Sequence, residues 1–336
     1  MTKQEQSDEL MRLVTGYQVS QAIHVAANLG IADLLAAGPV GVDELAAATG
    51  SHPRSLYRLL RALAAVGIFH EGTKQDFSLT AMGERLRSDA AGPVGPTAIF
   101  IGRPYMWEAW AHLSHSIRTG ENAFRDAHGV GNFEYRSLRP DEEAIFDQAM
   151  TANSMGVAGA VMAAFDFSQC RLIVDVGGGQ GALLAAILAA HAGSRGILFD
   201  QPHVVARAGS VLRTAGVADR CETVSGSFFE GVPGGGDAYL LKAVLHDWSD
   251  DASISILLRC RQAIDPNGKL IVIERVIAPP NEGPEAKFSD LNMLVEPGGQ
   301  ERTSEEFDVL FTAAGFRLTN VISTGTRWRV IEGMPG

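Results

Sequence analysis

Hydrophobic residues follow two different periodicities along this 336-residue chain. Up to about residue 165 they recur three and four positions apart, which is the spacing of amphipathic helices. From residue 166 onward, short apolar runs alternate with helical stretches, as is typical of a doubly wound α/β domain. The pattern therefore predicts a mainly helical domain at 1–100, a helical connector at 101–165 and an α/β domain at 166–336.

The first domain is predicted to be a winged helix. Residues 13–37 indicate a helix that is apolar on more than one side, so it needs a partner surface. Two short helices follow within 40–68, and the second presents Leu56, Leu60 and Leu63 on one face. Residues 68–70 and 77–80 predict two short strands. Helices followed by a small β wing suggest either a DNA-binding or a dimerisation domain.

Charge argues against nucleic acid as the partner. The whole chain carries a net charge of −11, whereas phosphate binding requires a basic surface. Arg54, Arg58 and Arg61 lie away from the leucines of their helix, and a solvated helix face accounts for them. We therefore favour dimerisation, and a ligand-sensing transcription regulator remains an alternative.

The chain has the composition expected of a cytoplasmic protein. Residues 1–12 are polar, and no run approaches the roughly 20 apolar residues of a membrane span. Three cysteines, Cys170, Cys221 and Cys260, are too few and too scattered for a disulfide framework. No membrane partner is expected.

Seven strands are predicted in the α/β domain, at 171–176, 195–200, 221–225, 237–243, 269–275, 316–323 and 327–332. Helices are predicted at 181–191, 203–214, 251–264 and 303–314. Only a short turn containing Gly325 separates the last two strands. They should form a hairpin, which makes one edge strand antiparallel.

The glycine-rich turn at the end of the first of these strands carries the main chemical signal. Gly177-x-Gly179-x-x-Ala182, with Asp200 after the second strand, satisfies a dinucleotide fingerprint, so a nicotinamide-dependent dehydrogenase is one reading. Asp175 lies two residues before the first glycine, where it would repel a pyrophosphate and attract an ammonium group. S-adenosylmethionine carries an amino group and a sulfonium but no phosphate, and Asp175 therefore favours it as the cofactor.

Three ordered motifs resemble one enzyme family. They are residues 174–181, Lys242-x-x-x-His246-Asp247-Trp248-Ser249-Asp250, and Gly298-Gly299-x-Glu301-Arg302-Thr303. Together they resemble the S-adenosylmethionine-dependent small-molecule O-methyltransferases, which include plant caffeic-acid-type enzymes and bacterial enzymes for aromatic polyketides and antibiotics. The resemblance covers nearly the whole chain. It implies methylation of an aromatic natural product, and a homodimer formed through the N-terminal helices.

The resemblance also assigns the cofactor residues. It implies that Asp175 and the turn at 177–181 hold the methionine end, that Asp200 takes both ribose hydroxyls and that Phe228 lies against the adenine. The family often has an aspartate where this chain has Ser227, and a serine can still accept a hydrogen bond there. The full predicted cofactor set is Asp175, Gly177, Gly179, Asp200, Gln201, Ser227, Phe228, Lys242 and Trp248.

A base is expected because a phenol has a pKa near ~10 and is almost fully protonated at neutral pH. His246 follows the fourth predicted strand, at the sheet edge where such folds bind ligands. Glu274 and Glu301 match the two acids that flank the family's histidine, so they are predicted to orient His246. Asp247 is predicted to be a structural or substrate-orienting neighbour rather than the base.

The acceptor pocket is assigned from aromatic, methionine and amide positions. Phe146, Met150 and similar side chains are often plain core, but methionine also suits a pocket for a flat ligand. The predicted substrate set is Met106, Trp107, Phe146, Met150, Asn153, Asp247, Asp290, Asn292 and Met293. No group of His, Cys and acidic residues has metal-ligand spacing, so no metal is expected.

Overall fold

The computed structural model describes residues 1–336, which separate into two compact units. The first unit comprises Met1–Trp107 and Ala144–Asn153, and the second comprises Glu108–Glu143 and Ser154–Gly336. The boundaries at residues 100 and 165 that the sequence suggested stay predictions.

The N-terminal part of the chain is mainly helical. Its elements are α1 (Lys3–Val14), α2 (Gly16–Asn28), α3 (Ile31–Leu34), β1 (Val40–Gly41), α4 (Val42–Thr49), α5 (Pro53–Ala65), β2 (Phe69–Glu71), β3 (Asp76–Leu79), a 3-10 turn (Gly83–Leu86) and α6 (Gly95–Ile101). The single helix predicted at 13–37 is broken at Thr15 and again at Gly30, which has φ of +67°. Such a left-handed conformation ends a helix and suits glycine.

Three strands rather than two form the small sheet of the first unit, in the order β1-β3-β2. The short strand β1 was not predicted, because two residues carry no periodicity. In the core beneath this sheet, Leu56, Leu60 and Leu63 of α5 are buried, as their spacing predicted. Helix α1, in contrast, has no buried residue although it carries Leu10, Leu13 and Val14.

The remaining elements follow in chain order. They are α7 (Pro104–Ala111), α8 (Leu113–Thr119), α9 (Ala123–His128), α10 (Asn132–Ser137), α11 (Pro140–Ala164), β4 (Leu172–Val176), α12 (Ala182–Ala190), β5 (Arg195–Asp200), α13 (Pro202–Val205), α14 (Gly209–Thr214), β6 (Cys221–Ser225), β7 (Ala238–Lys242), a 3-10 turn (Leu245–Asp247), α15 (Asp250–Ala263), β8 (Lys269–Glu274), α16 (Pro284–Val295), α17 (Ser304–Ala313), β9 (Phe316–Ser323) and β10 (Arg329–Pro335). The helix predicted at 203–214 is two shorter ones. Helix α16 was not predicted.

All seven strands of the second unit join one sheet, in the order β6-β5-β4-β7-β8-β10-β9. The hairpin of β9 and β10 is confirmed, but the prediction of an antiparallel edge strand is wrong. Strand β10 inserts between β8 and β9 and is antiparallel to both, so the edge strand β9 runs parallel to the others.

Both faces of this sheet are covered. The central strands β4, β7 and β8 are buried nearly throughout, as expected for parallel strands with helices on both sides. One core cluster contains Leu183, Leu184 and Trp328, and the other contains Leu257 and Phe311. None of the helices is both long and apolar enough to span a bilayer.

Candidate active site

The glycine turn after β4 has a backbone that other residues could not adopt. Gly177, Gly179 and Gly181 have φ of +68°, +61° and +78°, in the left-handed region. A Cβ at Gly178 would overlap the carboxyl group of Asp175. Nothing lies within 4 Å of a Cβ at Gly179, so the backbone is open to approach there.

Asp200, at the end of β5, braces this turn. Its Oδ2 accepts a hydrogen bond from the Gly179 N–H at 2.8 Å, and its Oδ1 accepts one from the Gln201 N–H at 2.7 Å. The structure thus brings Gly179, Asp200 and Gln201 together, as the prediction of a common cofactor site requires.

Asp175 is a buried carboxyl group, with 2% of its surface exposed. Burial and the neighbouring charge of Asp200 raise the pKa of Asp175 to about 7, although Lys242 opposes the shift. A buried carboxylate that lacks full charge compensation favours a cationic ligand beside it. The residues present therefore fit the amino and sulfonium groups of S-adenosylmethionine, and they fit a pyrophosphate poorly.

Lys242, at the end of β7, is also buried. Its Nζ donates a hydrogen bond to Ser154 Oγ at 3.2 Å and lies 4.9 Å from the ring centroid of Trp328. Burial lowers the pKa of Lys242 to about 8, against the pull of Glu274. Neither Ser154 nor Trp328 was predicted near Lys242, because helix α11 and the turn before β10 are distant from Lys242 along the chain.

A cluster of aromatic rings lies beside the turn. Trp248 contacts Phe228 and Phe229 edge to face, with centroid distances of 5.9 and 4.8 Å. Phe133 stacks on Trp248 at an interplanar angle of 8°. Ser227 Oγ accepts a hydrogen bond from the Phe229 N–H at 3.3 Å, so this hydroxyl also holds the local turn.

His246 lies in the 3-10 turn that follows β7, and it is buried among carboxyl groups. Its Nδ1 lies 3.2 Å from Glu301 Oε1 and 3.4 Å from Glu274 Oε2. Its Nε2 lies 3.6 Å from Asp247 Oδ1. All three acids predicted around His246 are therefore in place, including Glu301, which the sequence put in a distant loop.

The loop that carries Glu301 is fixed by close backbone packing. A Cβ on Gly299 would overlap the backbone of His246 and Asp247. The Gln300 N–H donates to the His246 carbonyl at 2.9 Å. Arg302 is fully buried and donates to the carbonyls of Leu245 and Trp248 at 2.9 and 2.8 Å.

Glu274, at the end of β8, holds the turn that carries His246 by hydrogen bonds to its backbone. Its Oε1 accepts hydrogen bonds from the N–H groups of Val244 and Leu245, both at 3.0 Å. Its Oε2 has no hydrogen-bond partner apart from the nearby imidazole. Burial raises the pKa of Glu274 to about 7, and the charge of His246 opposes that shift.

The electrostatics favour a protonated His246 in the ligand-free protein. Burial lowers its pKa, but the carboxylates of Glu274, Asp247 and Glu301 overcome this and raise the pKa of His246 to about 9. Burial opposes ionisation of Glu301, yet hydrogen bonds from His246 and Ser289 and the charge of Arg275 hold its pKa below the ordinary value.

His246, Glu274 and Glu301 also meet the distance requirement of a small metal site, since their potential ligand atoms all lie within 4.8 Å of one another. The sequence showed no such spacing, because three separate segments supply these residues. Glu301 Oε1 is already bound by Ser289 at 2.6 Å and by Arg275 at 3.1 Å. A metal ion would have to compete with these donors, and a metal-free reaction stays our prediction.

The predicted substrate residues are divided between the two units. In the first unit, Phe146 contacts Phe100 edge to face at 5.3 Å, and Trp107 contacts Tyr17 at 6.3 Å. Met106 is buried, and Met150 and Asn153 are partly buried.

In the second unit, Asp290 Oδ1 accepts a hydrogen bond from the Glu301 N–H at 2.9 Å, so this acid holds the loop of Glu301. Asn292 Oδ1 accepts from Trp110 Nε1 at 3.0 Å, and Asn292 also hydrogen-bonds Glu296. Met293 is buried in α16. The substrate role of these residues stays a prediction.

The fold and the site together define a class. A buried acid before an open glycine turn, and a histidine among acids at the next strand end, lie at the carboxyl edge of one sheet. The human N-acetylserotonin methyltransferase, solved with S-adenosylmethionine, matches this structure with a TM-score of 0.92 and 28% identity, over 100% of both chains. The protein is an S-adenosylmethionine-dependent methyltransferase.

Two domain families match the sequence. The O-methyltransferase domain matches residues 110–317, and the O-methyltransferase dimerisation domain matches residues 11–89. The chain belongs to this O-methyltransferase family, as its three motifs predicted.

Individual relatives match over most of their length. The phenazine O-methyltransferase of Lysobacter antibioticus is 44% identical over 98% of this chain and 96% of its own. The mitomycin biosynthesis 6-O-methyltransferase of Streptomyces lavendulae is 42% identical over 93% and 90%. An 8-amino-8-demethylriboflavin N,N-dimethyltransferase of Streptomyces davaonensis is 36% identical over 94% and 91%. The crystal structure of LaPhzM has a TM-score of 0.93, with 44% identity over 98% of this chain and 99% of that one.

Proposed function

We propose that this enzyme methylates a phenolic hydroxyl group of an aromatic small molecule, with His246 as the general base. The observation that carries the proposal is the environment of His246. Its Nδ1 lies within 3.4 Å of two buried carboxyl groups, which fix the ring and stabilise its charged form. The other nitrogen, Nε2, is then the one that receives a proton from the acceptor.

When bound, S-adenosylmethionine supplies a methyl group on a positively charged sulfur. In our proposal, Asp175 and the backbone at 177–181 bind its methionine end, and Asp200 binds its ribose. Phe228 and Trp248 are aromatic surfaces that suit an adenine ring. Nearby, Lys242 provides a buried positive charge at the end of β7.

The proton balance follows from the pKa of His246. A phenol has a pKa near ~10, so transfer of its proton to a histidine with pKa of about 9 is uphill by only ~1.4 kcal/mol. The same transfer to an ordinary histidine with pKa ~6.5 would be uphill by ~5 kcal/mol. The cost is that only about one molecule in a hundred holds the neutral imidazole at pH 7.

We propose an aromatic acceptor because the relatives named above act on phenazine, mitomycin and flavin compounds. We also propose a homodimer. Helices α1 and α2 expose Leu10, Met11, Leu13, Val14 and Tyr17 by 56 to 62% each, and this segment begins the matched dimerisation domain. Apolar surface of this extent is typical of an interface.

The first experiment is an acceptor screen. The purified enzyme is incubated with S-adenosylmethionine and a panel of phenols, naphthols and hydroxyphenazines, and mass spectrometry detects the gain of one methylene. Product from a hydroxylated acceptor, and none from its methyl ether, supports the proposal. Calorimetry with NADH and with duplex DNA serves as the negative control, and neither should bind in place of S-adenosylmethionine.

Nitrogen methylation is the second candidate, because a relative at 36% identity is an N,N-dimethyltransferase. An aromatic amine is already a neutral nucleophile and loses its proton after the transfer, so it needs no base beforehand. Matched hydroxy and amino forms of one ring system separate the two reactions. A strong preference for the amine that survives His246→Ala would favour nitrogen methylation.

A further inference from the structure

We propose that Arg275 is a positioning residue for His246, because its guanidinium and the His246 imidazole share one carboxylate oxygen of Glu301. This inference rests on the proposed role of His246 as the base. It deepens that role by naming the group that limits how tightly the surrounding acids hold the His246 proton.

The geometry at Glu301 Oε1 is the starting point. Three donors converge on this one atom: Ser289 Oγ at 2.6 Å, Arg275 Nη1 at 3.1 Å and His246 Nδ1 at 3.2 Å. The other oxygen, Oε2, is buried and has no hydrogen-bond partner. All three side-chain donors to this carboxylate therefore share a single oxygen, Oε1.

Arg275 is held at this position from two sides. Its Nη1 is 2.5 Å from Ser289 Oγ on helix α16. Its guanidinium carbon lies 4.8 Å from the ring centroid of Trp328, which is itself 1% exposed. A planar guanidinium can lie over an indole ring and donate a hydrogen bond to a carboxylate at the same time, and a lysine reproduces this combination poorly.

The charge balance explains why a second cation matters. Three carboxyl groups face His246: Glu274 and Glu301 at Nδ1 and Asp247 at Nε2. Without a competing cation, they would hold the proton of the imidazolium more tightly. The positive charge of Arg275 weakens the hold of Glu301, since a like charge nearby disfavours the protonated imidazole.

Other charged groups also interact with the residues of this cluster. Arg136 faces Asp247, Lys242 faces Glu274, Asp290 faces Glu301, and Arg327 faces Arg275. Arg275 contacts Glu301 Oε1, an atom that His246 also contacts. Arg275 is consequently the residue whose removal should change the titration of His246 most directly.

The test is the titration of His246 itself, followed by the NMR signal of its ring proton in the cofactor-free protein. The signal is assigned by its loss in His246→Gln. Arg275→Gln removes the charge and keeps a polar side chain, so the His246 pKa should rise by about one unit. Arg275→Lys keeps a charge without the planar contacts and should give a smaller rise. Arg317→Gln, at an exposed position in β9, is the matched control and should give none.

Kinetics provide the second readout. In Arg275→Gln, kcat at pH 8 should fall about tenfold and recover toward the wild-type value as the pH is raised, because the base is then deprotonated again. A purely structural defect would lower kcat at every pH. A raised His246 pKa with unchanged kcat would support the coupling and overturn the base assignment instead.

An unchanged His246 pKa in a folded Arg275→Gln protein would overturn the proposal. If that variant does not fold, Arg275→Met replaces it, since methionine removes the charge and keeps an apolar stem against Trp328. We then expect a similar rise of about one unit in the His246 pKa. Titration of a folded Arg275→Met protein at the wild-type pKa would contradict the inference equally well.

Discussion

Glu301 Oε1 lies 3.2 Å from Nδ1 of His246, although 55 positions separate the two residues. The contact depends on Gly299, whose missing side chain lets the loop lie flat on the backbone of His246 and Asp247. It also depends on Arg302, which ties the loop to the carbonyls of Leu245 and Trp248. The orientation of the proposed base is therefore set by a loop and not by the sheet alone.

Replacing His246 by alanine should lower kcat for a phenolic acceptor by about 10²- to 10⁴-fold, the usual contribution of a general base. The affinity for S-adenosylmethionine should stay within about threefold, because the proposed cofactor contacts are made by other residues. Steady-state kinetics and calorimetry measure the two quantities. Unchanged turnover of the His246→Ala variant at neutral pH would contradict the assignment of His246 as the base.

The pH dependence of kcat follows from the raised pKa of His246. The base must be neutral, and its pKa in the folded protein is about 9, so kcat should rise nearly tenfold between pH 7 and pH 8, reach half of its maximum near pH 9 and level off above about pH 10. The measurement uses saturating cofactor and acceptor. Two acceptors whose hydroxyl groups differ in pKa serve as the control. If the midpoint of the pH profile changes with the acceptor, the titrating group is the hydroxyl of the substrate and not His246.

Asp175→Asn should raise the thermal stability of the protein and weaken its binding of S-adenosylmethionine. The pKa of Asp175 is raised in the folded protein, so the folded state binds more protons than the unfolded one and loses stability as the pH rises from about 4 to 7. Asparagine does not ionise, so it removes the free-energy cost of a buried carboxylate at high pH. The melting temperature of the cofactor-free variant should therefore exceed that of wild type at pH 8, by an amount equivalent to roughly 1–3 kcal/mol.

The same substitution should weaken S-adenosylmethionine binding by about 10- to 100-fold, the usual effect of losing a charged hydrogen-bond partner. Thermal unfolding and calorimetry are run on one preparation. A variant that is less stable at pH 8, or that binds the cofactor normally, contradicts the assigned role of Asp175.

Gly299→Ala should disturb the site through its loop. The added Cβ overlaps the backbone of the His246 turn, so the loop must shift, and we expect a loss of roughly 2–4 kcal/mol in the free energy of unfolding together with lower kcat. Gly159→Ala is the matched control. Nothing lies within 4 Å of a Cβ at Gly159 in α11, and alanine there should be neutral or stabilising by up to ~1 kcal/mol. Equal effects of the two substitutions would show that the close approach at Gly299 is unimportant.

Removal of metal ions should leave the activity unchanged. Oε1 of Glu274 and Oε1 of Glu301 already accept hydrogen bonds from backbone and side-chain donors, respectively. Turnover is measured after dialysis against EDTA and again after addition of Mg²⁺ or Zn²⁺. If the activity is lost on chelation and recovers when a metal is added, His246, Glu274 and Glu301 form a metal site and the prediction is wrong.

The sequence by itself determined the classes of element and the cofactor end of the site. Asp175, the glycines after it and Asp200 lie at the ends of neighbouring strands, where short-range patterns are strong and the parallel sheet brings the ends together. Strand boundaries were correct within one or two residues for β4 to β9. The predicted antiparallel edge failed because the order of strands in a sheet is set by long-range packing, and a hairpin can insert as readily as it can add at the edge.

Only the tertiary structure decided how the acid–base group is assembled. Glu301 reaches His246 because Gly299 and Arg302 hold the loop against the turn. Arg275, which follows β8, and Ser289 of α16 both contact Glu301. None of these contacts has a fixed sequence spacing. The pKa of His246 likewise depends on burial and on three separate carboxyl groups, which are properties of positions in space and not of neighbours in the chain.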